Sequence, residues 1–151
     1  MNAVAVGCRD MPEPAWLPAL AVFADRVLAR LGEDAWDLSI VLCGDAFIAS
    51  LNREYRHKDG PTDVLSFEQG DWYDDDGAGR RFLAGDIVIS LDALARNAED
   101  FSVPEGEELK RLVVHGILHL SGLDHDGNDP GEPMLARQEA LLITLAEERI
   151  L

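Results

Sequence analysis

Apolar positions recur along this chain with two different periods, and the changes of period divide it into elements. Ala3–Cys8 is short and apolar and predicts a strand. Across 16–31, Leu17, Leu20, Val22, Phe23, Val27 and Leu31 repeat at the spacing of a helix with one buried face, and Gly32 stops the run. Residues 37–43 (DLSIVLC) read as a strand, and Asp45 is placed to N-cap a helix carrying Phe47, Ile48, Leu51 and Tyr55. A turn-rich loop follows at 56–61. Residues 63–68 (DVLSFE) alternate apolar and polar, a strand signal, and 86–91 (DIVISL) give the next strand. Between them 69–81 is polar and rich in Gly and Asp, which predicts an exposed, mobile, hairpin-like loop; its run Asp74-Asp75-Asp76 suits a solvated loop better than a metal site. Helices are expected at 91–101, at 104–120 with Glu105, Glu107 and Glu108 at its positive N-terminal end, and at 134–151, with a loop at 122–133.

Two strands separated by one loop predict an antiparallel pair, and strands and helices interleave without a strict βαβ rhythm. The expectation is α+β: one domain over 1–151, a small mixed sheet packed with about five helices. No Gly-rich phosphate loop follows a strand, so a nucleotide cofactor is not expected. A chain of 151 residues buries roughly 70% of its unfolded surface and needs neither a disulfide nor a metal to hold its core. A metal site is therefore free to be functional. Cys8 and Cys43 are far apart and outside any CxxC pattern, so both are read as reduced thiols. No apolar run approaches the ~18 residues of a span, and the N-terminus lacks a charged flank before an apolar core. The expected compartment is the cytoplasm, with no membrane partner.

Charge changes the picture of possible partners. The net charge of −16 argues against sequence-independent nucleic-acid binding, which depends on neutralising phosphates. Residues 101–151 carry 4 basic and 10 acidic side chains, and residues 1–60 carry 6 and 9, so basic groups are least outnumbered around Arg53, Arg56 and Lys58.

The stretch that carries chemistry is HGILHLSGLDH at 115–125. Histidines four apart lie about 40° apart on a helical wheel, so His115 and His119 can converge on one ion while Leu109, Val113, Ile117 and Leu120 form a separate core stripe. Gly122 can cap the helix in left-handed geometry and let the chain return His125 as a third ligand. Three protein ligands leave a fourth position for water, the arrangement of a catalytic rather than a structural zinc site. The spacing matches the HExxHxxGxxH pattern of metzincin proteases, but Gly116 replaces their general base. Asp124 and Asp126 are the acids that remain nearby, each either a partner that orients a ligand histidine or a solvated side chain.

With Leu51-Asn52 and Arg56, then Thr62-Asp63-Val64-Leu65-Ser66-Phe67, Gly85-Asp86-Ile87, HGILHLSGLDH, and finally Met134 and Glu139, the sequence resembles the YbeY family of bacterial rRNA maturation endoribonucleases. These motifs span residues 51–139 in order. Two departures are small: Leu135 stands where an aromatic often follows the Met, and the loop at 70–82 is unusually acidic. The resemblance implies an α+β fold, one Zn2+ held by His115, His119 and His125, and catalytic roles for Arg56 and His115. It also implies single-stranded RNA as substrate, 16S rRNA 3′-end maturation and ribosome quality control, with the small ribosomal subunit and its proteins as partners. Arg56 lies at the end of a predicted helix, where it either clamps a phosphate or is a surface arginine. His57 is either a phosphate contact or a solvated loop residue. Thr62, Asp63 and Ser66 either shape the cleft or fill a strand, and Met134 either underlies the metal or packs in the core. Two other functions stay open from sequence: a ribosome assembly factor whose metal only stabilises the fold, which suits the acidity, and a metallopeptidase.

Overall fold

The structure is a computed structural model that describes residues 1–77, 79–124 and 131–151. Its elements run β1 (Ala3–Cys8), α1 (Leu17–Arg30), β2 (Trp36–Cys43), α2 (Asp45–Arg56), β3 (Val64–Asp75), β4 (Gly79–Ser90), α3 (Leu91–Phe101), α4 (Glu105–Leu120) and α5 (Pro133–Thr144). One sheet has the order β1-β2-β4-β3. β1 and β4 both run parallel to β2, and β3 returns antiparallel to β4 with Val64 opposite Ile89 and Phe67 opposite Asp86. This is the expected α+β fold, with the mixed sheet and the antiparallel pair in place.

Alternation along the central strands sorts side chains onto two faces. Leu38, Ile40 and Leu42 of β2 and Ile87 and Ile89 of β4 enter the main core with α1 and α4, whereas Cys43 and Val88 point the other way, into a smaller cluster with Ile48. That second cluster is covered by α2, through Phe47 and Leu51. Helix α4 runs through the middle of the molecule and is buried on nearly every side, with Leu109, Val113, Ile117 and Leu120 in the core as the wheel predicts. It touches β3, β4, α1, α3 and α5. Its C-terminus closes as a Schellman turn: Gly122 N–H donates to His119 O (3.0 Å), Leu123 N–H donates to Leu118 O (3.1 Å), and Gly122 takes φ +99°.

Three sequence expectations need correction. The polar segment 69–81 is largely not a loop, because β3 and β4 extend to Asp75 and from Gly79 and pair across it. What holds it is tertiary: Arg81 gives Nε and Nη2 to Asp37 Oδ1 on β2 (3.0 and 2.8 Å), Tyr73 bonds the same carboxylate, and Trp72 packs on Phe82. Asp45 is the first residue of α2 rather than its cap; Gly44 is the N-cap, and the Asp45 carboxylate instead receives Ser90 Oγ–H and Arg96. The last helix ends at Thr144. Beyond it, the buried Lys110 ammonium donates to Glu148 O at 2.9 Å, a cation satisfying a carbonyl just past a helix C-terminus.

Candidate functional site

His115 and His119 leave α4 on the side facing β3. Their Nε2 atoms approach to 3.1 Å, with the rings at 76° to one another. Two nitrogens bound to one tetrahedral zinc at about 2.0–2.1 Å would stand roughly 3.3 Å apart, so this pair has the separation of adjacent ligands. The other ring nitrogens face oxygen. His115 Nδ1 lies 2.8 Å from Gln138 Oε1 on α5, and His119 Nδ1 lies 3.8 Å from Asp124 Oδ1. An imidazole backed by an acceptor, as His115 is, is the usual environment of a metal-ligating histidine, and the described pair of ring nitrogens fits a zinc-like ion. Among the described residues two imidazoles converge, and no group of three His, Cys, Asp or Glu that could hold a metal ion does so. His125, the expected third ligand, and Asp126 lie outside the described residues.

The two histidines open into a cleft of about 560 Å³ lined also by Arg56, Ser66, Glu68, Leu123 and Asp124. Arg56 is the last residue of α2, and His57 after it turns the chain with φ +57°. The Arg56 side chain crosses to β3, where Nη2 donates to Ser66 O at 2.8 Å and the guanidinium sits 5.1 Å from the centre of the Phe67 ring. Arg56 thus joins the cleft from an element far from the histidines in sequence. The other basic residues of its cluster do not line the cleft: Arg53 lies 3.7 Å from Asp59, and His57 and Lys58 are exposed.

The remaining candidates divide. Ser66 lines the cleft and its Oγ sits 3.5 Å from Gly116 O. Asp63 belongs to a polar chain behind His115: Asn97 Nδ2 donates to Asp63 Oδ2 at 3.0 Å and to Glu108 Oε2 at 3.1 Å. Thr62 is not among the cleft residues. Met134 is fully buried in the main core, so its packing role holds. Cys8 and Cys43 are free thiols; burial raises the Cys43 pKa to about 11, which keeps it protonated and inert. Gly116 faces the sheet: a Cβ there would stand 2.8 Å from Ile87 Cδ1. The position of the peptidase general base therefore has no room for a carboxylate side chain.

One residue that sequence reasoning missed is Gln138, which is 2% exposed and touches His115, whereas its neighbour Glu139 is an exposed partner of Arg111. A signal existed. Met134, Gln138 and Leu141 lie on one stripe of α5, so a polar side chain interrupts an otherwise buried face.

Fold and site together define a small α+β protein with an imidazole pair set in an arginine-bordered cleft. The chain belongs to the Endoribonuclease YbeY family, whose model matches residues 19–146. Its relatives named Endoribonuclease YbeY include one from Treponema denticola, 54% identical over 144 residues that cover 94% of this chain and 92% of that one. Another, from Geobacter metallireducens, is 41% identical over 137 residues, covering 91% and 89%. Among solved structures, the solution structure of TM1509 from Thermotoga maritima matches with a TM-score of 0.64 at 26% identity, over 97% of this chain and 91% of that one.

Proposed function

We infer that this chain is a metal-dependent endoribonuclease cutting single-stranded RNA. In this reading His115, His119 and His125 hold one Zn2+, and Arg56 is the phosphate clamp. The observation that supports it most is the 3.1 Å convergence of His115 and His119 Nε2 in a cleft that Arg56 also lines. When bound, the ion supplies a Lewis acid that acidifies water and stabilises charge on a phosphodiester. The chain's own residues do the rest. Arg56 is held by Ser66 O and the Phe67 ring, so the donors of its fork not engaged there meet the non-bridging oxygens in a set orientation and steady the charge that grows on them. Glu68 and Asp124 repel phosphate elsewhere in the cleft, which steers the backbone to the Arg56 side. The finer reading, suggested by the family, is 16S rRNA 3′-end maturation and ribosome quality control in the cytoplasm.

Cleavage of a single-stranded RNA oligonucleotide by purified protein should stop on chelation and fall at least about 100-fold in Arg56→Ala and His115→Ala, the scale of losing one charge-stabilising donor. Undiminished cleavage by both variants would sink the assignment. The net charge of −16 favours a second reading, a metal-stabilised assembly factor that binds basic ribosomal proteins. Rescue of rRNA processing in cells by a folded His115→Ala protein would support it. Position 116, walled by Ile87, speaks against the metallopeptidase.

A further inference from the structure

We propose that Gln138 is a positioning residue that fixes the tautomer of His115, so that its Nε2 lone pair faces the cleft before any ion arrives. The inference rests on the metal reading of the site. An amide oxygen can only accept a hydrogen bond. The 2.8 Å contact between Gln138 Oε1 and His115 Nδ1 therefore places the ring proton on Nδ1 and leaves Nε2 unprotonated. The unprotonated nitrogen is the one turned toward His119.

The partner is held rigidly. Gln138 is buried at 2% exposure on the same stripe as Met134 and Leu141, both of which pack in the main core. Helix α5 packs against α4, so the amide reaches His115 from a neighbouring helix. His119 is backed differently, by the Asp124 carboxylate at 3.8 Å, beyond hydrogen-bond range and on a side chain that is 85% exposed. Among the described contacts the two imidazoles thus differ: His115 meets a buried neutral amide, and His119 faces a charged group at longer range. A neutral amide also orients the ring without adding negative charge to a cleft that must accept a phosphodiester.

Two measurements test this. In metal-free protein, 15N chemical shifts of the His115 ring should report the Nδ1–H tautomer. In Gln138→Met, which keeps the chain length and removes the acceptor, that preference should disappear. Zn2+ affinity measured by chelator competition should fall about 10–100-fold in this variant, the usual scale for losing a partner of a ligand histidine. Gln138→Glu, which restores an acceptor, should recover affinity to within a few-fold of wild type. An Nε2–H tautomer in the wild-type protein would overturn the proposal, and that measurement needs no variant to fold. So would a folded Gln138→Met protein with wild-type tautomer and affinity. Wild-type protein that binds no Zn2+ yet shows the Nδ1–H ring would instead defeat the metal reading and leave the hydrogen bond standing.

Discussion

Glu108 sits in the first turn of α4, where a carboxylate favours the helix dipole, yet it is only 2% exposed. Burial raises its pKa above the ordinary 4.5, against the opposing hydrogen bond from Asn97 and the charge of Arg111. The folded protein then keeps this proton to higher pH than the unfolded chain does. Through this group, stability is lost as pH rises above 4.5. Urea unfolding of wild type and Glu108→Gln between that pH and neutrality should show wild type losing ground to the variant as pH increases; parallel profiles would contradict the burial argument. A second residue is fixed by backbone geometry. Gly85 has φ +138°, and a Cβ there would stand 2.1 Å from Phe67 O, where the β3–β4 register shifts. Backbone cannot yield as a flexible side chain does, so Gly85→Ala should cost about 3 kcal/mol or more in unfolding free energy. A cost below 1 kcal/mol, by the same measurement, would mean that the strands part easily.

The distal part of the β3–β4 hairpin shows how an element can be decided by neighbours rather than by its own residues. Its composition is that of a loop, since Gly and Asp disfavour strands, and 69–81 reads as one in the sequence. Arg81 overrides this by tying β4 to β2 through Asp37 and by donating to Met1 O and Trp36 O. Burial disfavours the Asp37 carboxylate, but hydrogen bonds from Arg81 and Tyr73 outweigh it and hold its pKa below the usual range. Removing the cation strands a mostly buried charge. Arg81→Met should therefore lower stability by about 2–3 kcal/mol, somewhat less than for a fully buried pair. The variant should also speed amide exchange along 71–75 and 79–83, and unchanged protection there would show that the ladder holds itself. Helix α4 is the opposite case. Its apolar stripe, its acidic first turn and its glycine cap were each readable because each acts within one turn of the residue concerned.

At the scale of the whole molecule, the net charge of −16 sets the terms on which a polyanion can approach. Among the described residues, the cleft offers one arginine beside two carboxylates, Glu68 and Asp124. Few phosphates are neutralised, so few counterions are released. Binding of single-stranded RNA should vary weakly with salt, with a log–log slope between about −1 and 0, where each phosphate contact contributes about −0.7. Fluorescence anisotropy across a salt series measures this. A slope steeper than about −3 would reveal a basic track that the charge distribution does not show.

By itself, the sequence determined the elements whose signals are local in the chain: the helical periods of α1 and α4, the alternation of the proximal β3 and β4 strands, and a histidine pair one helical turn apart. Contact between segments distant in sequence was decided only by the tertiary structure. Packing of α5 on α4 brings Gln138 to His115 across 23 residues, and the reach of α2 to β3 carries Arg56 into the cleft. Ile87, on a strand, closes the space beside Gly116. Periodicity reports which side of an element is apolar, but not which element it will meet, and the chemistry of this cleft depends on those meetings.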